Sequence, residues 1–461
     1  MPIIIAVIIL LFSSTVHADA FQSEELRQLW DVPSGEVKAQ TVKTYSQGSI
    51  KVEEVYYLSR SFKRKPVKIF GYFCYPRSRA GKLPAILLSH GGGGTASRPR
   101  AVAWARRGYA VLAIDLPGKG ENRGGSRSTG PDMIVPILLR TQPDPSYNYL
   151  IHAVAAARNG ITYLTQRKEV DPNRIGMIGL SWGGVLTLLT NGQDERLKAA
   201  VNVFGAGFIP EGCTWEDRFF SMPALDKEIW NTYIDPKNFL ATQHAPILFI
   251  TGTNDHCYYL PTFQKSYEQV KVEKNYWLIP NLRHRFLDSA QAPALAWLDQ
   301  KLKRSIAADI FPKISELPAY KKGPDKIVIP ITASVHSVVK SARLYYTDGG
   351  PLQWTAKKWK ELKPHYESGV YSFGLPVGLL KPEILYYVSV KDNHGGASST
   401  LVRSLFKVKL IDGTKTYAIS SSIRKIFRHE KPVTLLGGAD AGNTYFYYSK
   451  KDKIYEVFRS Q

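Results

Sequence analysis

The feature that most constrains this chain is the segment Gly179–Gly183 (GLSWG), because of the sequence on either side of it. Arg174–Ile178 predicts a short strand, and Gly184–Thr190 predicts a helix. A sharp turn from strand to helix crowds the residues two before and two after its centre, and only small side chains fit there. The pattern therefore predicts that Ser181 stands above a sheet, over a helix N-terminus that favours developing negative charge.

Strands and helices alternate around this turn. The predicted buried strands are Pro84–Ser89, Tyr109–Ile114, Arg174–Ile178, Ala199–Phe204, Pro246–Thr251 and Tyr276–Pro280. The predicted helices are Ala101–Arg107, Tyr147–Gln166, Gly184–Thr190, Phe263–Val270 and Ala290–Leu302. This alternation predicts an α/β fold with a mostly parallel sheet and right-handed crossovers. Ligands of such sheets bind beyond the carboxyl ends of the strands.

A glycine run, Gly91–Gly94, follows the first of these buried strands and His90. Glycines let backbone N–H groups approach a ligand oxygen closely. In an acyl-transfer site, one such N–H and that of the residue after the nucleophile hold the oxyanion. We expect Gly92 and Trp182 in these roles, with Gly91 and Gly93 as the alternatives to Gly92. A phosphate loop is disfavoured because no Gly-Lys-Ser/Thr follows.

A serine hydroxyl needs a general base, and in folds of this kind the chain order is serine, acid, histidine. Among the ten histidines, His256 and His284 remain as bases, and His284 is favoured because it follows the last predicted strand. Asp255 ends the segment after Pro246–Thr251 and is the expected acid, with Asp288 as the alternative. The acid would orient the imidazole and stabilise the imidazolium without taking its proton.

The N-terminal residues predict export. Ile3–Phe12 is an unbroken apolar run that is too short to span a bilayer, and small residues follow at Ala18 and Ala20. We therefore expect a signal peptide over residues 1–20 and a periplasmic or extracellular protein, with no transmembrane segment.

The remaining sequence predicts two structured regions. Residues 21–310 form the expected catalytic domain, which begins with a short helix over Phe21–Trp30 and a hairpin of Val37–Tyr45 and Ile50–Leu58. Residues 205–244 interrupt the strand–helix pattern and predict a cap, in which Trp215 and Trp230 are candidates for substrate binding. Short strands and turns over residues 311–404 predict a β-sandwich of immunoglobulin or fibronectin type III kind. Residues 405–461 predict a β-rich extension.

The formal net charge of +22 and the pI of about 9.6 are compatible with nucleic-acid binding, but the basic residues are scattered and form no recognisable module. We expect no specific nucleic-acid partner. Attraction to anionic polysaccharide or cell envelope, and solubility, remain as explanations of the charge.

Three cysteines, Cys74, Cys213 and Cys257, match no zinc pattern, and a Cys213–Cys257 bridge is the one disulfide hypothesis. We expect neither a metal nor an organic cofactor. The sequence leaves the oligomeric state open.

The segments GLSWGG, LKAAVNVFGAGF and TGTNDHCYYLPTFQKSY resemble those of the acetyl xylan esterase-like and prolyl-oligopeptidase-like bacterial α/β-hydrolases of the dienelactone hydrolase-like superfamily. The resemblance covers about residues 60–305, and implies a triad of Ser181, Asp255 and His284 that hydrolyses carboxylic esters. One departure is that Trp182 stands where the cephalosporin C deacetylase branch has Gln. Two alternatives stay open: a serine peptidase of prolyl-oligopeptidase type, and a non-catalytic protein that binds carbohydrate or envelope.

Overall fold

A computed structural model describes most of the chain. The described residues are 24–32, 35–119, 125–134, 138–285, 291–303, 311–323, 326–335, 338–349, 354–376, 378, 383–409, 415–420, 433–435, 444–449 and 454–459. The predicted signal peptide over residues 1–20 and the alternative acid Asp288 lie outside them.

The first sheet carries the N-terminal hairpin and the strands that were predicted to be parallel. Its strands are β1 (Ala39–Gln47), β2 (Ile50–Phe62), β3 (Lys65–Pro76), β4 (Leu83–Ser89), β5 (Ala110–Ile114), β6 (Val170–Leu180), β7 (Leu197–Val203), β8 (Ile247–Gly252) and β9 (Lys274–Ile279). They lie in the order β1-β2-β3-β5-β4-β6-β7-β8-β9. The pairs from β5 to β9 are parallel, whereas β1, β2, β3 and β5 pair antiparallel. The predicted mostly parallel sheet and hairpin are confirmed.

Helices cover both faces of this sheet. They are α1 (Glu24–Trp30), α2 (Arg98–Ala105), α3 (Tyr149–Thr165), α4 (Trp182–Asn191), α5 (Glu216–Phe220), α6 (Ala224–Ile229), α7 (Leu260–Gln269) and α8 (Gln291–Leu298). Residues of α3, α4 and α7 join the buried cluster on one face, and residues of α2 and α8 join the cluster on the other. Because both faces are covered, the central strands are buried throughout, which explains their continuous apolar sequences. Among the described residues, no helix combines the length and the apolar character needed to cross a membrane.

Helix α3 shows how sequence sets the packing distance. A methyl group at Gly160 would lie 3.0 Å from Tyr57 Oη and 3.2 Å from Leu87 Cδ1, so the helix approaches the sheet too closely for a side chain there. The Tyr57 hydroxyl donates to the Ala156 carbonyl at 2.8 Å, which satisfies a fully buried polar atom. Asn148 caps the N-terminus of this helix, and its side-chain oxygen accepts from the Leu150 N–H.

The predicted cap over residues 205–244 consists of α5, α6 and short irregular turns, held together by one buried carboxylate. Asp235 accepts hydrogen bonds from the backbone N–H groups of Phe208, Ile209 and Lys237 and from Trp230 Nε1, at 2.8 to 3.3 Å. Burial raises the pKa of Asp235, and these donors stabilise its charged form. They connect the start of the cap to its end.

Beyond residue 311 the described structure consists of strands, apart from the short helical turn Trp354–Ala356. They are β10 (Lys313–Glu316), β11 (Tyr320–Lys322), β12 (Lys326–Ser334), β13 (Val339–Asp348), β14 (Lys360–Leu362), β15 (His365–Glu367), β16 (Val370–Pro376), β17 (Glu383–Asp392), β18 (Ala397–Ser399), β19 (Arg403–Lys409), β20 (Lys415–Ser420), β21 (Val433–Leu435), β22 (Thr444–Ser449) and β23 (Ile454–Arg459). One sheet has the order β10-β12-β16-β15, with β11 also paired to β12. The other has the order β14-β13-β17-β19-β20-β21, with β18 on β17 and the β22–β23 pair joined to β19.

These two sheets share one buried core. Ile329 and Phe373 of the first sheet lie in the same apolar cluster as Leu344 and Val388 of the second. Strand β19 crosses the predicted boundary between residues 404 and 405 and pairs with β17. The extension thus begins inside the second sheet.

The β-rich region packs directly against the first sheet. Trp359, Leu385, Tyr387 and Val402 belong to one of the two buried clusters around that sheet. Asn275 of β9 donates to the Ala397 carbonyl at 2.9 Å. The two regions therefore share an apolar interface with buried polar contacts.

Candidate active site

Ser181 occupies the sharp turn between β6 and α4. Its φ of 58° lies in the left-handed region, which is strained for a residue with a side chain. A Cβ on Gly179 would lie 1.8 Å from the Gly183 carbonyl oxygen, and one on Gly183 would lie 2.5 Å from that of Ser89. The turn is possible only with glycine at both positions, as the pattern predicts.

The side chains of Ser181, His284 and Asp255 meet beyond the carboxyl ends of the strands. His284 Nε2 lies 2.7 Å from Ser181 Oγ, and its Nδ1 lies 2.9 and 3.0 Å from the two carboxylate oxygens of Asp255. Because a carboxylate only accepts hydrogen bonds, Nδ1 carries the proton and Nε2 is free to accept one from the serine hydroxyl. This is the geometry of a nucleophile, a base and an orienting acid.

Asp255 is fully buried and well provided with donors. Its Oδ1 accepts from the backbone N–H groups of Cys257 at 2.7 Å and Tyr258 at 3.1 Å, in addition to His284. These bonds hold the carboxylate in one orientation and compensate for its burial. The Phe204 ring lies 4.8 Å from the His284 ring and packs against the imidazole.

The glycine run is anchored by His90. The Leu116 N–H donates to His90 Nε2 at 3.0 Å, so the proton of the neutral ring is on Nδ1, which lies 2.7 Å from the Gly91 carbonyl. The buried Asp115 lies beside this ring, 3.7 Å from Nε2. His90 therefore joins the start of the glycine run to the end of β5.

Gly91 and Gly92 lie against the strand-to-helix turn at Ser181, which we call the elbow. A Cβ on Gly91 would lie 3.0 Å from Ser181 Cβ, and one on Gly92 would lie 3.0 Å from Trp182 Cδ1. Trp182 is the first residue of α4, where a backbone N–H has no acceptor within the helix. The structure thus brings the glycine run and the Trp182 amide to the nucleophile, while the choice of Gly92 over Gly91 and Gly93 stays a prediction.

The two candidate tryptophans of the cap have different surroundings. Trp215 is partly buried, and its ring lies 5.2 Å from that of Trp182 and 5.9 Å from that of Tyr258. Trp230 is fully buried, with its ring 5.0 Å from that of Phe219 and its indole N–H bonded to Asp235. Trp215 packs on Trp182 next to Ser181, and its role in substrate binding stays a prediction. The interpretation of Trp230 as a substrate contact is corrected, because it is a core residue of the cap.

The alternative base and the proposed disulfide are also placed by the structure. The exposed His256 ring lies 5.7 Å from that of His284, whereas His284 is the histidine that contacts Ser181 Oγ. Cys213 and Cys257 lie on adjacent segments, since the Thr214 N–H donates to the Cys257 carbonyl at 3.0 Å. Both are free thiols, as is Cys74, and the bridge hypothesis is not supported.

Asp255, Cys257 and His284 place ligand-type atoms within 4.8 Å of one another. This group does not suit a metal ion. Burial raises the pKa of the Cys257 thiol to about 12, so the thiolate needed for coordination is scarce at neutral pH. His284 Nδ1 is in addition engaged by the carboxylate.

Asparagines beside the acid and the base escaped the sequence interpretation. Asn254 and Asn281 precede Asp255 and His284 by one and three residues, and both bond to the backbone of residues 355–359 in the β-rich region. Of the two, only Asn281 carried a sequence signal: asparagine is one of the residues that tolerate the left-handed backbone, and Asn281 has a φ of 56°.

Comparison with known proteins places these residues in a family context. Residues 16–208 match the acetyl xylan esterase (AXE1) family model, and residues 154–304 match the prolyl oligopeptidase family model. The acetyl esterase Axe7A of Xylanibacter ruminicola is 25% identical over 249 residues, which is 51% of this chain and 56% of that protein. The putative hydrolase YtaP of Bacillus subtilis is 30% identical over 147 residues, 29% of this chain and 46% of that protein. The chain thus spans about half the length of these curated relatives.

Solved structures share the fold. Acetyl xylan esterase 1 from Thermoanaerobacterium sp. JW/SL YS485 is 17% identical with a TM-score of 0.52, and covers 60% of this chain and 93% of its own. An acetyl xylan esterase from Paenibacillus sp. R4 is 22% identical with a TM-score of 0.51 and the same two coverages. At these identities the likeness shows the α/β-hydrolase fold.

Proposed function

We propose that this chain, an acetyl xylan esterase-like α/β-hydrolase, hydrolyses carboxylic esters by acyl transfer to Ser181. The observation that carries the proposal is the hydrogen-bonded series from Ser181 Oγ through His284 to Asp255. A serine beside a correctly oriented imidazole is an activated nucleophile, and a strained elbow above a helix N-terminus presents it to substrate.

The reaction follows from these positions. Ser181 Oγ attacks the ester carbonyl while its proton passes to His284 Nε2, and the oxyanion accepts hydrogen bonds from the backbone N–H groups of Gly92 and Trp182. Collapse of the tetrahedral intermediate breaks the ester C–O bond, and the imidazolium gives its proton to the leaving alcohol. Water, deprotonated by the same imidazole, then attacks the acyl-serine. The acyl C–Oγ bond breaks, the imidazolium returns the proton to Ser181 Oγ, and the carboxylic acid is released. Asp255 keeps the imidazole oriented in both steps.

The proposed substrates are short-chain esters, with acetyl groups on polysaccharide as the first candidate. The names of the family model and of the Xylanibacter relative support the acetyl group. The aromatic rings of Trp182, Trp215 and Tyr258 pack together beside Ser181. Trp182 and Tyr258 are buried, so the partly exposed Trp215 is the ring of the three that can contact an acyl group. The apolar run Ile3–Phe12 supports export, and the net charge of +22 favours contact with anionic polysaccharide.

The decisive experiment compares wild type with Ser181→Ala on p-nitrophenyl acetate. The variant is expected to lose hydrolysis and labelling by a fluorophosphonate probe while its thermal unfolding stays close to wild type. Retained hydrolysis would remove Ser181 from the mechanism. A panel of acetylated sugars, feruloyl esters and short p-nitrophenyl esters then defines the acyl and alcohol groups.

A second candidate function is peptide hydrolysis by the same triad, which the prolyl oligopeptidase match over residues 154–304 favours. Both reactions use an acyl-serine, so the test is the leaving group. Higher kcat/KM on aminoacyl amides than on acetyl esters would replace the esterase proposal. Absence of probe labelling in a folded protein would instead favour the third alternative, a non-catalytic binding protein.

We also propose the domain organisation of the whole chain: a signal peptide over residues 1–20, the catalytic domain over 21–310, and a sandwich of immunoglobulin or fibronectin type III kind that starts at residue 311. The core shared by β12, β16, β13 and β17 supports the sandwich. Amino-terminal sequencing of the exported protein tests the cleavage site.

A further inference from the structure

We propose that one segment of the β-rich region, Thr355–Trp359, holds the catalytic residues in position. Asn254 and Asn281 are the positioning residues that couple this segment to Asp255 and His284. We call this segment the brace, and it directly precedes β14. This inference rests on the proposed function, because it concerns how the same triad is held.

Asn281 provides the contact beside the base. Its amide exchanges two hydrogen bonds with one residue of the brace: Nδ2 donates to the Trp359 carbonyl at 2.9 Å, and the Trp359 N–H donates to Oδ1 at 2.8 Å. The residue also has a φ of 56°, which turns the chain from β9 toward His284. Asparagine suits this position because it tolerates the left-handed φ and because its amide makes both hydrogen bonds to Trp359. Asn281 lies three residues before His284 in the chain.

Asn254 provides the contact beside the acid. Its Nδ2 donates to the carbonyls of Lys357 at 2.6 Å and Thr355 at 3.3 Å. The side chain is 5% exposed, so these bonds are made away from solvent, where an unpaired amide would be costly. The next residue in the chain is Asp255.

The loop that carries Asp255 and the loop that carries His284 are hydrogen-bonded to each other as well as to the brace. The Thr253 hydroxyl donates to Asn254 Oδ1 at 2.6 Å and accepts from the Asn281 N–H at 2.7 Å. The Asn254 N–H donates to the Leu282 carbonyl at 3.0 Å. A Cβ on Gly252 would lie 2.1 Å from that same carbonyl oxygen, so the loops touch through their backbones. The loop that carries Asp255 and the loop that carries His284 therefore contact each other directly.

The brace itself is rigidly held. Trp359 is 5% exposed, belongs to a buried cluster of the catalytic domain, and has its ring 5.2 Å from that of Tyr387. A support of this kind fixes the reacting groups within a fraction of an ångström, and misplacement by about 1 Å costs roughly a hundredfold in rate. The β-rich region thereby contributes to turnover without touching substrate.

The sharpest test removes one amide and keeps the backbone. Asn281→Gly tolerates the left-handed φ but deletes both bonds to Trp359. We expect kcat on p-nitrophenyl acetate to fall by about tenfold to a hundredfold while KM changes less than about threefold. Asn281→Asp keeps the acceptor for the Trp359 N–H and loses the donor, and it should recover part of the lost kcat.

The matched control is Gln264→Ala at the same interface. Gln264 makes the same kind of reciprocal pair with the backbone of Val402, at 2.9 and 3.3 Å, and it lies on helix α7, outside the loops that carry Asp255 and His284. Its loss is expected to lower the thermal unfolding temperature as much as Asn281→Gly does, with kcat within about threefold of wild type. Equal loss of kcat in both variants would overturn the proposal, since the effect would then be general destabilisation.

A double-variant cycle separates this inference from the proposed function. If Asn281 acts through the Asp255–His284 pair, Asn281→Gly should lower the residual kcat of Asp255→Asn by less than about threefold. Additive losses would refute the positioning role while leaving the esterase proposal intact. Unchanged hydrolysis in Ser181→Ala would refute the esterase proposal itself, whatever Asn281 does.

Discussion

Both carboxylate oxygens of Asp255 lie within hydrogen-bond distance of His284 Nδ1, at 2.9 and 3.0 Å. The two residues are brought together across 29 positions of the chain, by loops that leave the adjacent strands β8 and β9. The carboxylate is buried and has backbone donors of its own, so it stays in place when the imidazole becomes charged.

Asp255→Asn is therefore expected to abolish most of the activity without unfolding the protein. The amide can donate to Nδ1, which stabilises the wrong tautomer of His284 and leaves Nε2 carrying the proton. In triads of this kind the loss of kcat is about 10⁴-fold. Steady-state kinetics on p-nitrophenyl acetate and circular dichroism check it. A loss below about tenfold would mean that Asp255 is not the orienting acid.

His90 offers a test of the glycine run. Replacing it by alanine removes the acceptor for the Leu116 N–H and the contact with the Gly91 carbonyl, so we expect stability to fall by about 1–3 kcal/mol. The oxyanion donors would also be less well fixed, and kcat should fall by about tenfold or more with little change in KM. Urea unfolding and steady-state kinetics measure the two effects. Wild-type kcat in His90→Ala would show that the ring does not organise the run.

The two tryptophans of the cap should respond differently to the same substitution. Trp230→Ala deletes a fully buried ring and is expected to cost about 3–5 kcal/mol in the free energy of unfolding. Trp215→Ala opens space beside Trp182 and is expected to raise the kcat/KM ratio of butyrate over acetate esters by about tenfold. Its stability loss should be the smaller of the two. Equal chain-length preference in Trp215→Ala and wild type would exclude Trp215 from the acyl side of the site.

The local parts of this structure could be predicted from sequence because their constraints are local. The elbow around Ser181 follows from the space available to residues 179 and 183, and buried parallel strands have continuous apolar sequences whatever their neighbours. The same logic placed Asp255 and His284 after the strands that carry them, because carboxyl ends of parallel strands meet at one edge.

What could not be predicted depends on partners that are distant in the chain. Asn281 and Trp359 are 78 residues apart, and a bond between a side-chain amide and a backbone leaves no spacing pattern in either segment. Aromatic composition likewise could not distinguish Trp215 from Trp230, because burial depends on what packs over each ring. The sequence also did not predict that the second sheet continues through β19. This continuation depends on the pairing of β19 with β17, and turn residues do not indicate which strands pair.

One buried carboxyl group makes the stability of the protein depend on pH. Glu383 of β17 is 3% exposed, and burial raises the pKa of its carboxyl from 4.5 to about 7. The fold therefore favours the protonated form of Glu383, and ionising this carboxyl destabilises the protein. The destabilisation is absent below pH 4.5 and grows as the pH rises toward 7. Above pH 7 it is fully present and amounts to roughly 3 kcal/mol. Glu383→Gln should have a stability close to wild type at pH 4.5 and be more stable by about that amount at pH 8.

Urea unfolding at the two pH values measures this difference, because the glutamine is neutral at both. Glu36→Gln serves as the control, since Glu36 is exposed and its substitution should give the same small change in stability at pH 4.5 and pH 8. The sign of the Glu383 effect is what matters: a carboxylate held by a buried cation would make the glutamine variant less stable at pH 8. That outcome would mean that the ionised form of Glu383 is favoured in the fold, contrary to the effect expected from its burial.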